Sequence, residues 1–182
     1  MTESSGWLRG VEGVLSGPDL TLTVERLAEW QLSDGMMPWY PGGHADPWNH
    51  VEALMALMLD GRKAEAEAGF AWLERLQHAD GSWHQYYLAG GEVEEAKFDA
   101  NCIAYVAAGL YHHWLLFEDR SFLDANWGML SGAVDFVRGL QTDRGEVFWA
   151  RKPDGTPFEF ALLTGSSSIT HSLRCAEAVA EV

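Results

Sequence analysis

Apolar positions recur every third or fourth residue along most of this chain, and the pattern resolves into six helices. The first runs from Leu20 to Gln31, with Pro18 and Asp19 where a helix amino end favours a proline and an acid. Asp46-Pro47 opens the second, whose Trp48, Val51, Leu54, Met55 and Met58 form one stripe before Asp60-Gly61 stops it. The third, Arg62 to Gln77, carries a polar side of Lys63, Glu65, Glu67 and Glu74 and reads as an outer helix. Phe98 to Phe117 is apolar over most of its circumference, which predicts a buried inner helix. Ser121 to Gln141 and Ser166 to Val182 complete the set, the last with serines at its amino end as cap candidates. Trp83 to Leu88 before Gly90-Gly91, and Val147 to Ala150 before Asp154-Gly155, each predict a small β-hairpin.

A phrase repeats through this pattern. A helix ends in glutamine, a glycine follows four residues later and a tryptophan closes the unit, as in Leu27–Trp39, Leu73–Trp83 and Val137–Trp149. Aligned on Gln31, Gln77 and Gln141, the glycines are Gly35, Gly81 and Gly145, and the apolar positions before each glutamine share one helix face. Self-similarity of this kind implies stacked supersecondary modules, each a pair of helices. The links after the first, third and fifth helices, roughly 32–45, 78–96 and 142–164, are long, whereas those after the second and fourth are a few residues. Short links force antiparallel neighbours, so the long loops gather on one face, beside the amino ends of the second, fourth and sixth helices. A functional site belongs on that face. The expectation is an irregular lead-in over 1–17 and a single α/α helical-hairpin domain over 18–182, with three hairpin repeats and small β-hairpins in the long loops.

Composition narrows the chemistry. Twenty-seven acidic against twelve basic residues leave a formal charge of −15, which disfavours nucleic acid and anionic membrane surfaces as partners. No run is long and apolar enough to span a bilayer, and Cys102 and Cys175 fall inside helical patterns, as reduced buried thiols do, so the reading is cytoplasmic. Nine tryptophans exceed what packing requires and suggest aromatic surface for a ligand. The chain has no nucleophile elbow, phosphate-binding glycine loop or Cys-x-x-Cys pair, and no cofactor is expected.

Three loop mouths hold the candidate residues. The first carries Trp39, Tyr40, His44, Asp46, Trp48 and His50; Asp46 reads first as the cap of the second helix and second as an acid or base. The spacing of His44, Asp46 and His50 matches no usual metal motif, so no metal is assigned. The second mouth carries Trp83, Tyr86, Tyr87, Glu95, Asp99 and Asn101, carboxylates among aromatics that suit paired acid and base work; a solvated hairpin accounts equally for Glu92, Glu94 and Glu95. The third carries Trp149, Glu159, Ser167 and His171, beside a helix start whose amides suit an anionic or hydroxyl-rich ligand. Asp99, Asp46 and Glu95 are therefore the catalytic candidates and the others ligand-binding candidates.

The repeated phrase resembles the QW repeats of the terpenoid cyclase and prenyltransferase superfamily, barrels of paired helices. Phe98-Asp99-Ala100-Asn101, Tyr105, His112-His113-Trp114, Asp119, Ser121-Phe122-Leu123, Trp127, Thr164-Gly165-Ser166-Ser167-Ser168 and Arg174-Cys175 resemble a bacterial group commonly labelled prenyltransferase. The middle segment is also similar to six-hairpin glycosidases. The resemblance implies an all-α, α/α-toroid-type fold of antiparallel hairpins, about half a full ring. It also implies an aromatic-lined pocket for a prenyl chain or, alternatively, a glycan-acting enzyme using paired carboxylates; a non-catalytic half-toroid is the third reading. The D-x-D-D and D-D-x-x-D clusters of many terpene enzymes are absent, as is the zinc set of protein prenyltransferases. A small-molecule prenyl or glycan ligand, and a homodimer or second half completing the toroid, are the expected partners.

Overall fold

Caps and breakers fix the helix boundaries in the computed structural model, which describes residues 10–182. Helix α1 (Gly17–Trp30) starts at a reciprocal capping box, in which the Ser16 hydroxyl accepts from the Asp19 amide and the Asp19 carboxylate accepts from the Ser16 amide. Helix α2 (Pro47–Leu59) is capped by Asp46 and followed at once by α3 (Lys63–Leu76). Strand β1 (Tyr86–Tyr87) pairs antiparallel with β2 (Val93–Glu95), and β3 (Phe98–Asp99) pairs later with β4 (Ala150–Arg151). Helices α4 (Ala100–Ala104) and α5 (Val106–Phe117) form one rod interrupted at Tyr105. Glu118 in the left-handed region (φ 48°) ends that rod, and Asp119 caps α6 (Arg120–Arg138). The last helix is α7 (Leu163–Glu181).

Counted as rods, these are the six expected helices of an all-α, α/α-toroid-type array. The inner helices α2, α4/α5 and α7 pack side by side, and α1, α3 and α6 lie outside them. Their buried side chains, among them Leu54, Met58, Phe70, Trp72, Ile103, Leu110 and Leu130, form the core. Cys102 and Cys175 are free and buried. Among the described residues no helix is long and apolar enough to cross a membrane.

The first helix starts three residues earlier than the sequence reading and the fifth ends three residues sooner, and two further boundaries that bear on the long-loop face also differ. The apolar pattern extends the fourth helix back to Phe98, but Phe98 and Asp99 pair with Arg151 and Ala150, a long-range ladder that periodicity cannot register. Asp99 is consequently the cap of the inner rod rather than a residue within it. The sixth helix starts at Leu163, three residues early, so Ser166, Ser167 and Ser168 lie inside its first turns and Leu162 takes the cap position without a side-chain bond. Of the expected lead-in, 1–9 falls outside the described residues; beyond it a tight turn bridges Val11 and Leu15.

The repeated phrase is a joint between neighbouring modules. Gln31 Nε2 donates to Gly35 O at 3.1 Å and to Glu65 O of α3 at 2.9 Å. Gln77 Nε2 donates in the same way to Gly81 O at 3.1 Å and to Met129 O of α6 at 2.9 Å. Each glycine adopts positive φ, 96° at Gly35 and 85° at Gly81. An added Cβ would stand 2.1 Å from Ala68 O at the first joint and 1.9 Å from Gly132 O at the second, so only glycine lets the next outer helix come so near.

Candidate functional site

The amino ends of the three inner helices converge on the long-loop face, and the loops there are stitched into one layer. Ala45 and Tyr87 exchange both backbone hydrogen bonds at 2.9 Å, joining the first loop to the second. The β3–β4 pair, extended by Ala100 N to Trp149 O at 2.9 Å, joins the second to the third.

An open cleft of about 270 Å³ lies among these helix starts, lined by Trp48, Asp99, Asn101, Trp149, Leu162, Thr164, Gly165 and Ser168. Asp99 Oδ1 accepts the Asn101 and Cys102 amides at 2.9 and 3.2 Å, holding the carboxyl at the tip of α4. Burial pushes its pKa above the ordinary aspartate value, against these amide bonds, the Trp149 side chain and the Lys97 charge, which pull the other way. A carboxyl that holds its proton more tightly than an ordinary aspartate is better suited to act as a general acid. Trp48 and Trp149 supply aromatic surface and Thr164 and Ser168 supply hydroxyls, whereas Trp48 Nε1 and Asn101 Oδ1 are buried behind the lining without a protein partner among the described residues. Lys97 Nζ sits 4.4 Å from the Trp149 ring centroid.

Asp46 plays a different part. It is 1% exposed and accepts from the Trp48 and Asn49 amides, the Asn49 side chain at 2.8 Å and Trp39 Nε1 at 2.6 Å. Four N–H donors saturate both oxygens, so it fixes the start of α2 and the pose of Trp39. Glu95 is exposed on β2 and pairs with Lys97 at 3.4 Å, away from the cleft lining. The three catalytic candidates thus separate into one carboxyl on the cleft, one buried tie and one rim charge.

The aromatic candidates divide too. Trp39 and Tyr40 are exposed at the rim, where His44 stacks on Tyr86 with centroids 4.2 Å apart and its Nδ1 lies 2.6 Å from Glu94 Oε2. Trp83, Tyr87 and His50 were expected at the mouth but are core residues. Trp83 is 1% exposed and donates to Leu73 O at 2.7 Å; Tyr87 is 2% exposed and its hydroxyl accepts the His84 amide at 2.8 Å. His50 accepts the Met37 amide on Nδ1 and bonds Gly69 O through Nε2, which fixes a neutral tautomer, and burial lowers its pKa to about 4. Glu159, Ser167 and His171 are exposed and do not line the cleft, whereas Ser168, one residue beyond Ser167, does. Among the described residues no cluster of three or more metal-ligating side chains occurs.

The fold and cleft define an α/α-hairpin protein with its candidate site at the inner-helix amino ends, and comparison with known proteins narrows this. No protein-family profile matches the chain. It is 45% identical over 172 residues, 94% of its length, to the MMP endo-(1,4)-3-O-methyl-alpha-D-mannosidase of Mycolicibacterium hassiacum, of which those residues span 47%. It is 27% identical over 93 residues to an uncharacterized glycosyl hydrolase of Methanocaldococcus jannaschii, 15% of that protein. The chain therefore spans less than half the length of the curated relatives it matches. The fold is shared with cellobiose 2-epimerase from Spirochaeta thermophila, at TM-score 0.60 and 19% identity over 88% of this chain and 45% of that one. It is shared equally with a D-mannose isomerase, at TM-score 0.60 and 11% identity over 94% and 49%. The similarity thus falls on glycosidases and six-hairpin-type toroids, and the prenyltransferase and terpene-cyclase resemblance gains nothing from it.

Proposed function

We propose that this chain forms part of a glycan-acting enzyme, a glycoside hydrolase of the six-hairpin kind, and that its contribution is a sugar-binding cleft with Asp99 as general acid. The observation that carries this reading is the cleft itself. A carboxyl with a raised pKa stands there beside two tryptophans and the hydroxyls of Thr164 and Ser168, which suits a ligand with an apolar ring face and hydroxyls around its edge. The named mannosidase similar to this chain supports the choice of an α-mannoside, with O-methylated 1,4-linked mannose as the first ligand to try. In this scheme Asp99 protonates the glycosidic oxygen as the bond to the anomeric carbon breaks. Trp48 and Trp149 stack on sugar faces, and the side-chain hydroxyls of Thr164 and Ser168 on the same lining take sugar hydroxyls. Glycoside hydrolysis takes a second carboxylate, and among the described residues Asp99 is the one carboxylate on this cleft, so in this scheme the second comes from outside its lining.

Calorimetric titration with a 1,4-linked 3-O-methylmannose oligosaccharide tests binding, with a polyprenyl diphosphate as the contrasting ligand. Saturable binding of the oligosaccharide, weakened at least tenfold by Trp48→Ala, is expected. Asn caps a helix as well as Asp, so Asp99→Asn should leave folding and binding intact while removing any hydrolysis released as reducing ends. Binding of the prenyl compound but not the sugar, or hydrolysis undiminished in Asp99→Asn, would sink the proposal.

A further inference from the structure

The three copies of the repeated phrase are chemically alike but not equally occupied. At the first two joints the glutamine makes two bonds, one to its own turn and one to a carbonyl of the next outer helix. At the third, Gln141 Nε2 donates to Gly145 O at 3.0 Å and keeps its other proton free of protein acceptors among the described residues. Gly145 holds the same backbone shape, with φ at 99°, yet an added Cβ there would meet nothing within 4 Å. The turn is therefore set for a close backbone approach that nothing among the described residues makes.

The closed joints show what fits. Aligned on Gln77, which caps α3, and Gln141, three residues beyond α6, the acceptors Glu65 and Met129 coincide, as do Ala68 and Gly132, whose carbonyls abut the joint glycines. The residue at the abutting position is small in both cases, and a Cβ on Gly132 would already stand 3.3 Å from the Gly81 Cα. In α1 the aligned positions are Asp19 and Leu22. Leucine is bulky at the abutting position, and the Asp19 carbonyl already accepts the Thr23 hydroxyl at 3.0 Å. The α1 helix of a second copy is thus a poor occupant.

We propose that the Gln141–Gly145 turn is a docking socket for a further helical hairpin, one whose outer helix carries glycine or alanine where α3 has Ala68 and α6 has Gly132. The joint geometry is continuous with two interfaces already formed in the molecule, and the solved proteins sharing this fold extend well beyond the length matched here. The socket does not depend on what the cleft binds.

The test appends a second copy of residues 118–141, the turn and outer helix that fit the second joint, after Val182 of the full chain. Docking should slow exchange of the Gln141 side-chain amide at least tenfold by NMR and raise the melting temperature. Replacing glycine by leucine at the appended copy of Gly132 should abolish both gains. Leucine favours helix over glycine, so a merely helical or stickily apolar extension would gain from the same change. Unchanged Gln141 exchange, or gains that survive the leucine, would overturn the proposal. So would a dimeric mass for the unextended chain that Leu22→Glu converts to a monomer, because a second copy's α1 would then fill the socket.

Discussion

Alanine in place of Gly81 or Gly145 separates backbone strain from helix packing within one molecule. Both glycines sit at similar positive φ, 85° and 99°, so the conformational penalty of a Cβ is nearly common to the two, about 1–2 kcal/mol. At Gly145 nothing else opposes the methyl. At Gly81 the methyl would lie 1.9 Å from Gly132 O and 2.9 Å from Gly132 Cα, so α6 must withdraw. Withdrawal breaks the Gln77 bond to Met129 O, about 1 kcal/mol, and disturbs a tight contact at about 1–3 kcal/mol more. The totals are about 1–2 kcal/mol for Gly145→Ala and about 3–6 kcal/mol for Gly81→Ala. A chain of this size loses roughly 2–4 °C per kcal/mol, so Gly81→Ala should melt at least about 4 °C below Gly145→Ala. Urea unfolding followed by far-ultraviolet circular dichroism gives the free-energy difference directly. Equal losses for the two variants would refute the account of the joint, since only strain would then be in play.

Two further outcomes follow from the same contacts. Gln77→Ala removes two hydrogen bonds and should cost about 1–3 kcal/mol, whereas Gln141→Ala removes one exposed bond and should cost under about 1 kcal/mol; matching urea midpoints would contradict the difference in occupancy. His50, whose pKa falls from 6.5 to about 4, stays neutral in the fold while the unfolded chain takes a proton below pH 6.5. Stability should therefore drop as pH falls from 6.5 to 4, by up to about 3 kcal/mol from this residue; an imidazole resonance titrating near 6.5 in the folded protein would rule this out.

The helical array was legible because its signals are local. Asp46 reads as a cap from the proline behind it, and the joints read as turns from glutamine and glycine at fixed spacing. The site was less legible because the decisive facts are long-range. Asp99 looks helical until β4, some fifty residues later, pairs with it. The tryptophans of the phrase are not equivalent, because Trp83 falls two places earlier after its glutamine than Trp39 and Trp149 do. Aligned strictly, Trp83 matches Met37 and Val147, all three buried, whereas Trp39 and Trp149 match each other and reach the loop face. That register was available in the sequence. The burial of His50 and Tyr87 was not, since nothing in one chain separates an aromatic that meets Trp72 from one that meets solvent.

The stitched loop layer determines where foreign sequence can be inserted. Ala45 with Tyr87, and Phe98–Asp99 with Ala150–Arg151, tie the loops near their bases, while the tips at 89–90 and 152–156 are exposed. A reporter tag or a small guest domain spliced at either tip lengthens chain that bears no cross-loop bond, the circumstance in which insertions are tolerated. The same insertion between Gly43 and Pro47 would part the first loop from the second and loosen the buried Asp46. The protein can thus be tagged on the face that holds its cleft, with the tag anchored to loops whose bases cannot swing apart.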